Sequence, residues 1–130
     1  MVLAQKKYPL PKAQFVCIEG RTIVAKFNSL AEYNIIIGRV PRVTVGRIVQ
    51  KRDNRIIFKK DPDTRNISRR HAILHWNEQY GKYNLECNAE YGIIVKLPNI
   101  KIIQLKKGQD VLLMNKSKFK VGDFWFYVLY

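Results

Sequence analysis

The stretch Ile67-Ser68-Arg69-Arg70-His71-Ala72-Ile73-Leu74 joins a polar turn to a segment with the composition of a β-strand. Asp61-Pro62-Asp63 precedes it, and these residue types favour bends over strand pairing. Outward in both directions, short segments rich in β-branched and aromatic residues alternate with turns such as Glu19-Gly20, Asp53-Asn54 and Gly122-Asp123. The pattern predicts an all-β sandwich of about eleven strands with short loops and little helix.

Twelve segments have strand composition, and no stretch shows the apolar period of a substantial helix. Residues 1–12 read as a basic, proline-containing lead-in, so we expect a single domain over residues 13–130. The predicted strand segments are Gln14–Glu19, Thr22–Phe27, Tyr33–Ile37, Val43–Val49, Arg55–Lys59, Ala72–Trp76, Tyr83–Cys87, Gly92–Lys96, Lys101–Leu105, Asp110–Met114, Lys118–Val121 and Phe124–Leu129.

Two segments, Ile73–Trp76 and Phe124–Tyr130, carry apolar residues on both alternating faces. A strand of this kind is covered on both sides. The C-terminal run is therefore predicted to be a central core strand partly covered by loops. The alternative is an exposed aromatic face that serves a partner.

The composition indicates a folded domain with an anionic partner. The 130 residues are 47% hydrophobic and 12% aromatic, which excludes intrinsic disorder. A formal net charge of +14 favours a partner that carries phosphate or acidic side chains. Cys17 and Cys87 lie far apart in strand-like segments and are predicted to be buried thiols. No segment resembles a signal peptide or a membrane span, so we expect a soluble intracellular protein without a membrane partner.

The basic residues concentrate in one quarter of the chain. Eleven of the 24 Lys and Arg lie between residues 39 and 70, against three Asp, which leaves a local charge of +8. In turns and strand ends they are expected to converge on one rim as a positive pocket for phosphate. A solvated basic face without a ligand is the alternative. The residues are Arg39, Arg42, Arg47, Lys51, Arg52, Arg55, Lys59, Lys60, Arg65, Arg69 and Arg70.

Four ordered motifs resemble the forkhead-associated (FHA) domain family over about residues 13–130. They are Gly46-Arg47 after a strand-like segment, Ser68-Arg69-Arg70-His71, Gly92-Ile93-Ile94-Val95, and closing segments from Ile102 to Val128. The resemblance implies a non-enzymatic β-sandwich, without a cofactor, that captures a phosphothreonine-bearing or acidic protein segment. The sequence is most similar to a divergent branch of the family that includes a regulator of ribosomal-protein genes, which implies a nuclear transcription or signalling factor.

The same resemblance implies a role for each matching residue. Arg47 and Ser68 would contact the phosphate, Arg69 or Arg70 would assist or contact the peptide, and His71 would brace the binding loops. Gly46 and Gly92 would be structural. The chemistry fits, because a guanidinium is a planar fork of donors and a hydroxyl adds one more, and neither changes protonation state.

A second Gly-Arg pair, Gly38-Arg39, also follows a strand-like segment. Arg39 precedes Ser68 by 29 positions and Arg47 precedes it by 21, and the shorter interval favours Arg47 because it requires less looping. The family's peptide-binding Asn is replaced by Tyr91, which cannot offer paired amide groups. Asn88 is the nearest substitute, unless it simply forms a turn. Peptide recognition is then altered, and a phosphate-independent interaction module is the alternative.

Other classes of function have less support. His71, His75 and Cys87 have no further ligand at metal spacing, so we expect no metal site and no small-molecule substrate. Nonspecific nucleic-acid binding is the alternative from a different class, because the charge exceeds what one phosphate needs and an auxiliary nucleic-acid contact would use it. The aromatic residues that could stack on bases are Trp76, Tyr80, Tyr83, Tyr91 and Trp125.

Overall fold

A computed structural model describes residues 10–99 and 101–130 as two six-stranded sheets that share one core. The first sheet has the order β2-β1-β12-β11-β8-β9 and the second the order β10-β7-β6-β3-β5-β4. The all-β sandwich is confirmed, with twelve strands instead of about eleven. The strands are β1 (Ala13–Glu19), β2 (Thr22–Leu30), β3 (Asn34–Val40), β4 (Val49–Arg52), β5 (Arg55–Lys59), β6 (Ala72–Asn77), β7 (Lys82–Cys87), β8 (Ile93–Lys96), β9 (Ile102–Leu105), β10 (Asp110–Leu112), β11 (Lys118–Val121) and β12 (Phe124–Leu129).

Aromatic side chains join the two sheets. Phe58 of the second sheet packs on Phe124 and Phe126 of the first, with ring centroids 4.9 and 6.0 Å apart. Tilted and edge-to-face contacts of this kind add to the stabilisation from apolar burial alone. Cys17 and Cys87 are buried free thiols, as predicted. These contacts hold the two sheets together around one core.

The prediction of a central C-terminal strand is confirmed, because β12 is the third of six strands in its sheet. Alternate residues of this strand, from Phe124 to Val128, are buried in the core. The intervening Trp125 and Tyr127 point away from the core and are half-buried. Lysine side chains lie over both rings. The second face of the strand is therefore covered, at least in part, by charged side chains.

The predicted strand Val43–Val49 is wrong. Residues 41–48 form a loop, and β4 begins only at Val49. Pro41 has no backbone N–H to continue the β3 ladder, and a backbone hydrogen bond from Val43 N–H to the Val40 carbonyl closes a turn instead. Val45 is 72% exposed, and only Ile48, at the end of the loop, packs against the core.

Most of the predicted basic lead-in, residues 1–9, lies outside the described residues. Among the residues that the structure describes, one short 3-10 helix occurs, over Pro62–Thr64, and no helix is long and apolar enough to cross a membrane. This helix belongs to the loop between β5 and β6.

Candidate functional site

The loop between β5 and β6 is held in shape by its own polar groups. The Asp61 side chain caps the 3-10 helix by accepting a hydrogen bond from the Asp63 backbone at 2.9 Å. Thr64 is fully buried, and its hydroxyl lies 2.7 Å from the Lys59 carbonyl. The Ile67 side chain packs against the β11–β12 turn, where a Cβ on Gly122 would come within 2.7 Å of it. Ser68 is therefore exposed at the tip of a loop whose neighbouring residues Thr64 and Ile67 are buried.

Gly38 lets this loop lie directly against β3. A Cβ at position 38 would lie 1.8 Å from the Arg69 carbonyl oxygen and 2.8 Å from that of Ser68. The next residue, Arg39, donates its backbone N–H to the Ser68 carbonyl at 3.0 Å. Only a glycine allows this approach. The backbone of β3 therefore fixes where Ser68 lies.

His71 links the tip to the sheet. Its backbone N–H donates to the Ile37 carbonyl at 2.8 Å, and its Nδ1 accepts the Ser68 backbone N–H at 3.1 Å. Burial lowers the pKa of His71 to about 4. The ring is therefore neutral at pH 7, as an acceptor Nδ1 requires. His71 contributes position to the site and no charge.

The Arg39 side chain is also fixed. Its Nε donates to the Thr64 hydroxyl at 3.1 Å, and the side chain is half-buried. Within residues 10–99 and 101–130, no side chain or carbonyl accepts a hydrogen bond from its two Nη groups. A guanidinium held by Nε keeps its two terminal nitrogens available for an anion.

Of the two Gly-Arg pairs, the structure brings Gly38–Arg39 to the Ser68 loop. Gly46–Arg47 lies in the exposed loop before β4, where the Gln50 side chain donates to the Arg47 carbonyl at 2.7 Å. The shorter sequence interval does not bring Arg47 closer to Ser68. The β4–β5 hairpin folds back between Arg39 and Ser68, so these two residues are in backbone contact although 29 positions separate them.

The loop between β7 and β8 forms the facing wall. Asn88 lies at its start, and its side-chain amide donates to the Arg70 carbonyl at 2.8 Å. Tyr91, at the position of the family's Asn, is 95% exposed. Gly92 follows with φ +84°, a conformation that side-chain-bearing residues rarely adopt. Asn88 thus ties this loop to the Ser68 loop, and Tyr91 stands free at its tip.

A cleft of about 700 Å³ separates the two loops. The Ser68 loop contributes Arg65 and Ser68, and Gln104 and Lys120 enter from strands β9 and β11. Sequence reasoning missed Thr64, Gln104 and Lys120. Thr64 could have been found from the sequence, because Asp61-Pro62 is a pattern that starts a helix and so predicts an ordered turn at Thr64. The two strand residues had none, since they are remote in sequence.

The eleven clustered basic residues do not all converge on one rim. Arg39, Lys59 and the Ser68 loop lie at one end of β5, whereas Lys51, Arg52 and Arg55 lie at the β4–β5 turn at the other end. Four residue steps along a strand separate the two ends by about 13 Å. Lys51 is also neutralised by Glu32 at 2.8 Å. The positive charge near Ser68 therefore comes from fewer residues than expected.

In the part of the chain that the structure describes, no group of three His, Cys, Asp or Glu side chains could hold a metal ion. The site combines an exposed hydroxyl, a fixed arginine and a neutral, buried histidine. It is suited to bind an anion by hydrogen bonds that need no proton transfer.

These loops lie at one end of a β-sandwich, whose paired strands hold the loop residues in place. The sequence model of the FHA domain matches residues 43–122, and the chain therefore belongs to the FHA-domain family. No curated protein matches the chain. The family match includes Gly46–Arg47, whereas the backbone pairs Gly38–Arg39 with the Ser68 loop.

Solved structures share the fold at low sequence identity. The FHA domain of an Arabidopsis thaliana hypothetical protein is 15% identical with a TM-score of 0.65, over 100% of this chain and 94% of that one. The FHA domain of human APLF in complex with an XRCC1 bisphospho peptide is 19% identical with a TM-score of 0.58, over 92% and 98%. A chain from a study of phosphothreonine-dependent FHA domain interactions is 22% identical with a TM-score of 0.54, over 92% and 96%.

Proposed function

We propose that this chain binds a phosphothreonine-bearing segment of a partner protein, with Arg39 and Ser68 as the phosphate ligands. One observation carries the assignment to these two residues. The Arg39 N–H donates to the Ser68 carbonyl at 3.0 Å and so holds the guanidinium-bearing residue beside the hydroxyl-bearing one. Support for the ligand class comes from FHA relatives that were studied with phosphopeptides.

The chemistry follows from the donors that remain. The Nε of Arg39 donates a hydrogen bond to Thr64, so both Nη groups remain available to bind phosphate oxygens as a fork. Ser68 adds one hydroxyl donor. A phosphate monoester carries about −1.5 to −2 charges at pH 7, so the contacts are charge-assisted. The interaction requires no catalysis and no cofactor.

Other basic residues would contact the peptide on either side of the phosphate. Arg69 and Arg70 are exposed beside Ser68, and Arg65 lines the adjoining cleft. Arg47, in the exposed β3–β4 loop, is the alternative phosphate ligand if that loop closes over the peptide. We place it second because its neighbours do not orient it toward Ser68.

A second candidate function is an interaction that does not need phosphate. It is favoured by Tyr91, which replaces the amide side chain expected to hold the ligand backbone and is 95% exposed. One of the two N–H donors of the Asn88 amide is hydrogen-bonded to the Arg70 carbonyl, so Asn88 is committed in part to holding the two loops together. An acidic segment could then bind through the arginines alone.

The module is proposed to extend from residue 13 to residue 130 as one unit, because β1 begins at Ala13 and β12 ends at Leu129 in the same sheet. Its place in a nuclear transcription or signalling factor is supported by the sequence resemblance alone.

Calorimetric titration tests the phosphate site. A degenerate phosphothreonine peptide pool and its unphosphorylated twin are titrated against wild type, Arg39→Ala, Ser68→Ala and the matched control Arg47→Ala. Loss of charged hydrogen bonds worth about 1.5–3 kcal/mol predicts a roughly ten- to hundredfold weaker complex for Arg39→Ala. Ser68→Ala should cost about three- to tenfold.

Arg47→Ala should change affinity by less than about threefold, since it retains both proposed ligands. Strong loss from Arg47→Ala together with tolerance of Arg39→Ala would reverse the assignment. Equal affinity for the two pools, insensitive to all three changes, would instead establish the phosphate-independent module.

A further inference from the structure

The outer face of the first sheet carries lysines and aromatic rings side by side. Two rows of residues cross the strands there. One row pairs Lys26 with Val16, Val16 with Tyr127, Tyr127 with Lys118, and Lys118 with Lys96. The second row pairs Ile18 with Trp125, and Trp125 with Lys120. We call the central part the lysine-aromatic face, which consists of Lys96, Lys118, Lys120, Trp125 and Tyr127.

The lysines of this face lie over the aromatic rings. The Nζ atoms of Lys96 and Lys120 are 4.7 and 5.9 Å from the centre of the Trp125 ring. The Nζ of Lys118 is 5.7 Å from the centre of the Tyr127 ring. On the side of the sheet away from the core, each half-buried ring is therefore in contact with a lysine ammonium group.

The charges on this face are not neutralised from within. Lys118 stands directly opposite Lys96 in the antiparallel register, an arrangement of like charges that destabilises a sheet. Among the residues that the structure describes, the one ion pair made by a lysine joins Lys51 to Glu32, and it lies elsewhere. The contacts of these lysines with the Trp125 and Tyr127 rings offset part of the repulsion but leave the positive charge unpaired, so a polyanion would be attracted to this face.

We propose that the lysine-aromatic face binds single-stranded nucleic acid. Phosphates would draw the ammonium groups of Lys96 and Lys118 off the rings, and bases would stack on the uncovered faces of Trp125 and Tyr127. These two rings follow each other on one face of β12, about 6.8 Å apart along the strand. Stacking platforms flanked by cations are how proteins hold single strands without reading their sequence.

An acidic protein segment fits this face less well. It would neutralise the lysines but supply no flat partner for the two rings. A single strand offers both, because a charged phosphate accompanies every base. Lys120 also lines the cleft beside Ser68, so the two surfaces adjoin. Apart from Lys120, the nucleic-acid site uses other residues, and it does not depend on the proposed phosphopeptide function.

Fluorescence anisotropy with a labelled thymidine 20-mer tests the charge contribution. The logarithm of the wild-type association constant should fall linearly with the logarithm of the salt concentration. The slope should be about −0.7 for each phosphate contacted. Lys118→Gln should weaken binding and reduce that slope by about 0.7. Lys82→Gln is the matched control, because its Nζ lies over the Tyr130 ring at 5.8 Å but on the second sheet. It should leave affinity and slope unchanged.

Tryptophan fluorescence tests the stacking contribution. Bound thymidine 20-mer should quench the emission of Trp76→Phe, which retains Trp125, but not that of Trp125→Phe. Trp125→Leu, checked for folding by its thermal transition, should bind about five- to hundredfold more weakly. A phosphothreonine peptide should titrate wild type and Lys118→Gln alike, so failure of one proposed site is distinguishable from failure of the other.

Three results would overturn the proposal. The first is that the thymidine 20-mer does not bind to wild type at about 50 mM salt, where binding driven by phosphate contacts is still strong. The second is equal loss in Lys118→Gln and Lys82→Gln. The third is competition by poly-glutamate at equal charge concentration, which would make the occupant an acidic protein segment.

Discussion

Substitution of Gly38 by Ala should separate the two Gly-Arg pairs in one experiment. The new Cβ would lie 1.8 Å from the Arg69 carbonyl oxygen and 2.4 Å from its carbon. Both are backbone atoms, so no side-chain rotation relieves the contact. The loop must retreat by more than 1 Å to restore a normal contact of about 3.4 Å, and the Arg39–Ser68 backbone hydrogen bond is lost.

The expected cost follows from these two effects. Overpacking costs roughly 1–3 kcal/mol, and a lost hydrogen bond adds about 1 kcal/mol. The free energy of unfolding should therefore fall by about 2–4 kcal/mol. With a urea dependence of about 2 kcal/mol per molar, the unfolding midpoint should drop by about 1–2 M. Phosphothreonine peptide binding should fall further than stability, since Ser68 moves away from Arg39.

The matched control is the same substitution at the other pair. Gly46 has φ +87°, and its Cβ would approach only the flexible end of Gln50, at 2.7 Å from Nε2. The backbone cost of about 1–2 kcal/mol should lower the urea midpoint by no more than about 1 M and leave peptide binding intact. Wild-type stability and binding in Gly38→Ala would refute the close approach of the Ser68 loop to β3.

Three further predictions concern the same loops. Thr64→Val should cost about 1–3 kcal/mol in urea unfolding and weaken phosphopeptide binding by calorimetry, because Arg39 Nε loses its acceptor; Thr64→Ser should restore both, and equal binding by all three proteins would contradict this role. His71 has a pKa of about 4 in the fold, so its stabilising effect is present above pH 6.5 and is lost as pH falls toward 4, by up to about 3 kcal/mol. His71→Asn should flatten the loss of stability over that range, and an unchanged pH profile would show that another group controls it. Tyr91→Asn should leave thermal stability unchanged and strengthen phosphothreonine peptide binding; weaker binding would make Tyr91 itself a ligand contact.

The strand segments were predictable because alternating apolar residues and turn residues are local signals. The composition of Phe124–Leu129, for instance, predicts a central strand, and these residues form the third strand of a six-stranded sheet. Val43-Thr44-Val45 has equally good strand composition but forms a loop. Strand propensity is expressed only where a neighbouring strand and a core are available, and Pro41 ends the ladder that this segment would have needed.

The site was predictable in part. The Ser68–His71 motif marked the loop, because its residue types match a known pattern. Lys120 and Gln104 left no sign in the sequence, since their positions beside the loop depend on how β9 and β11 pair. Thr64 is intermediate, because the turn before it is visible in the sequence but its contact with Arg39 is not.

By itself, the sequence determined the all-β class, the family, the excess of positive charge and the loop that carries Ser68. The tertiary structure decided which arginine stands beside that serine. The number of residues between two positions is a poor measure of their distance when those residues form a hairpin. The second strand of the hairpin, β5, pairs with β3, so the chain returns to the strand that it left. The parallel pairing of β3 with β5 and the antiparallel pairing of β3 with β6 bring Arg39 to Ser68 across 29 positions, while Arg47 remains on an exposed loop.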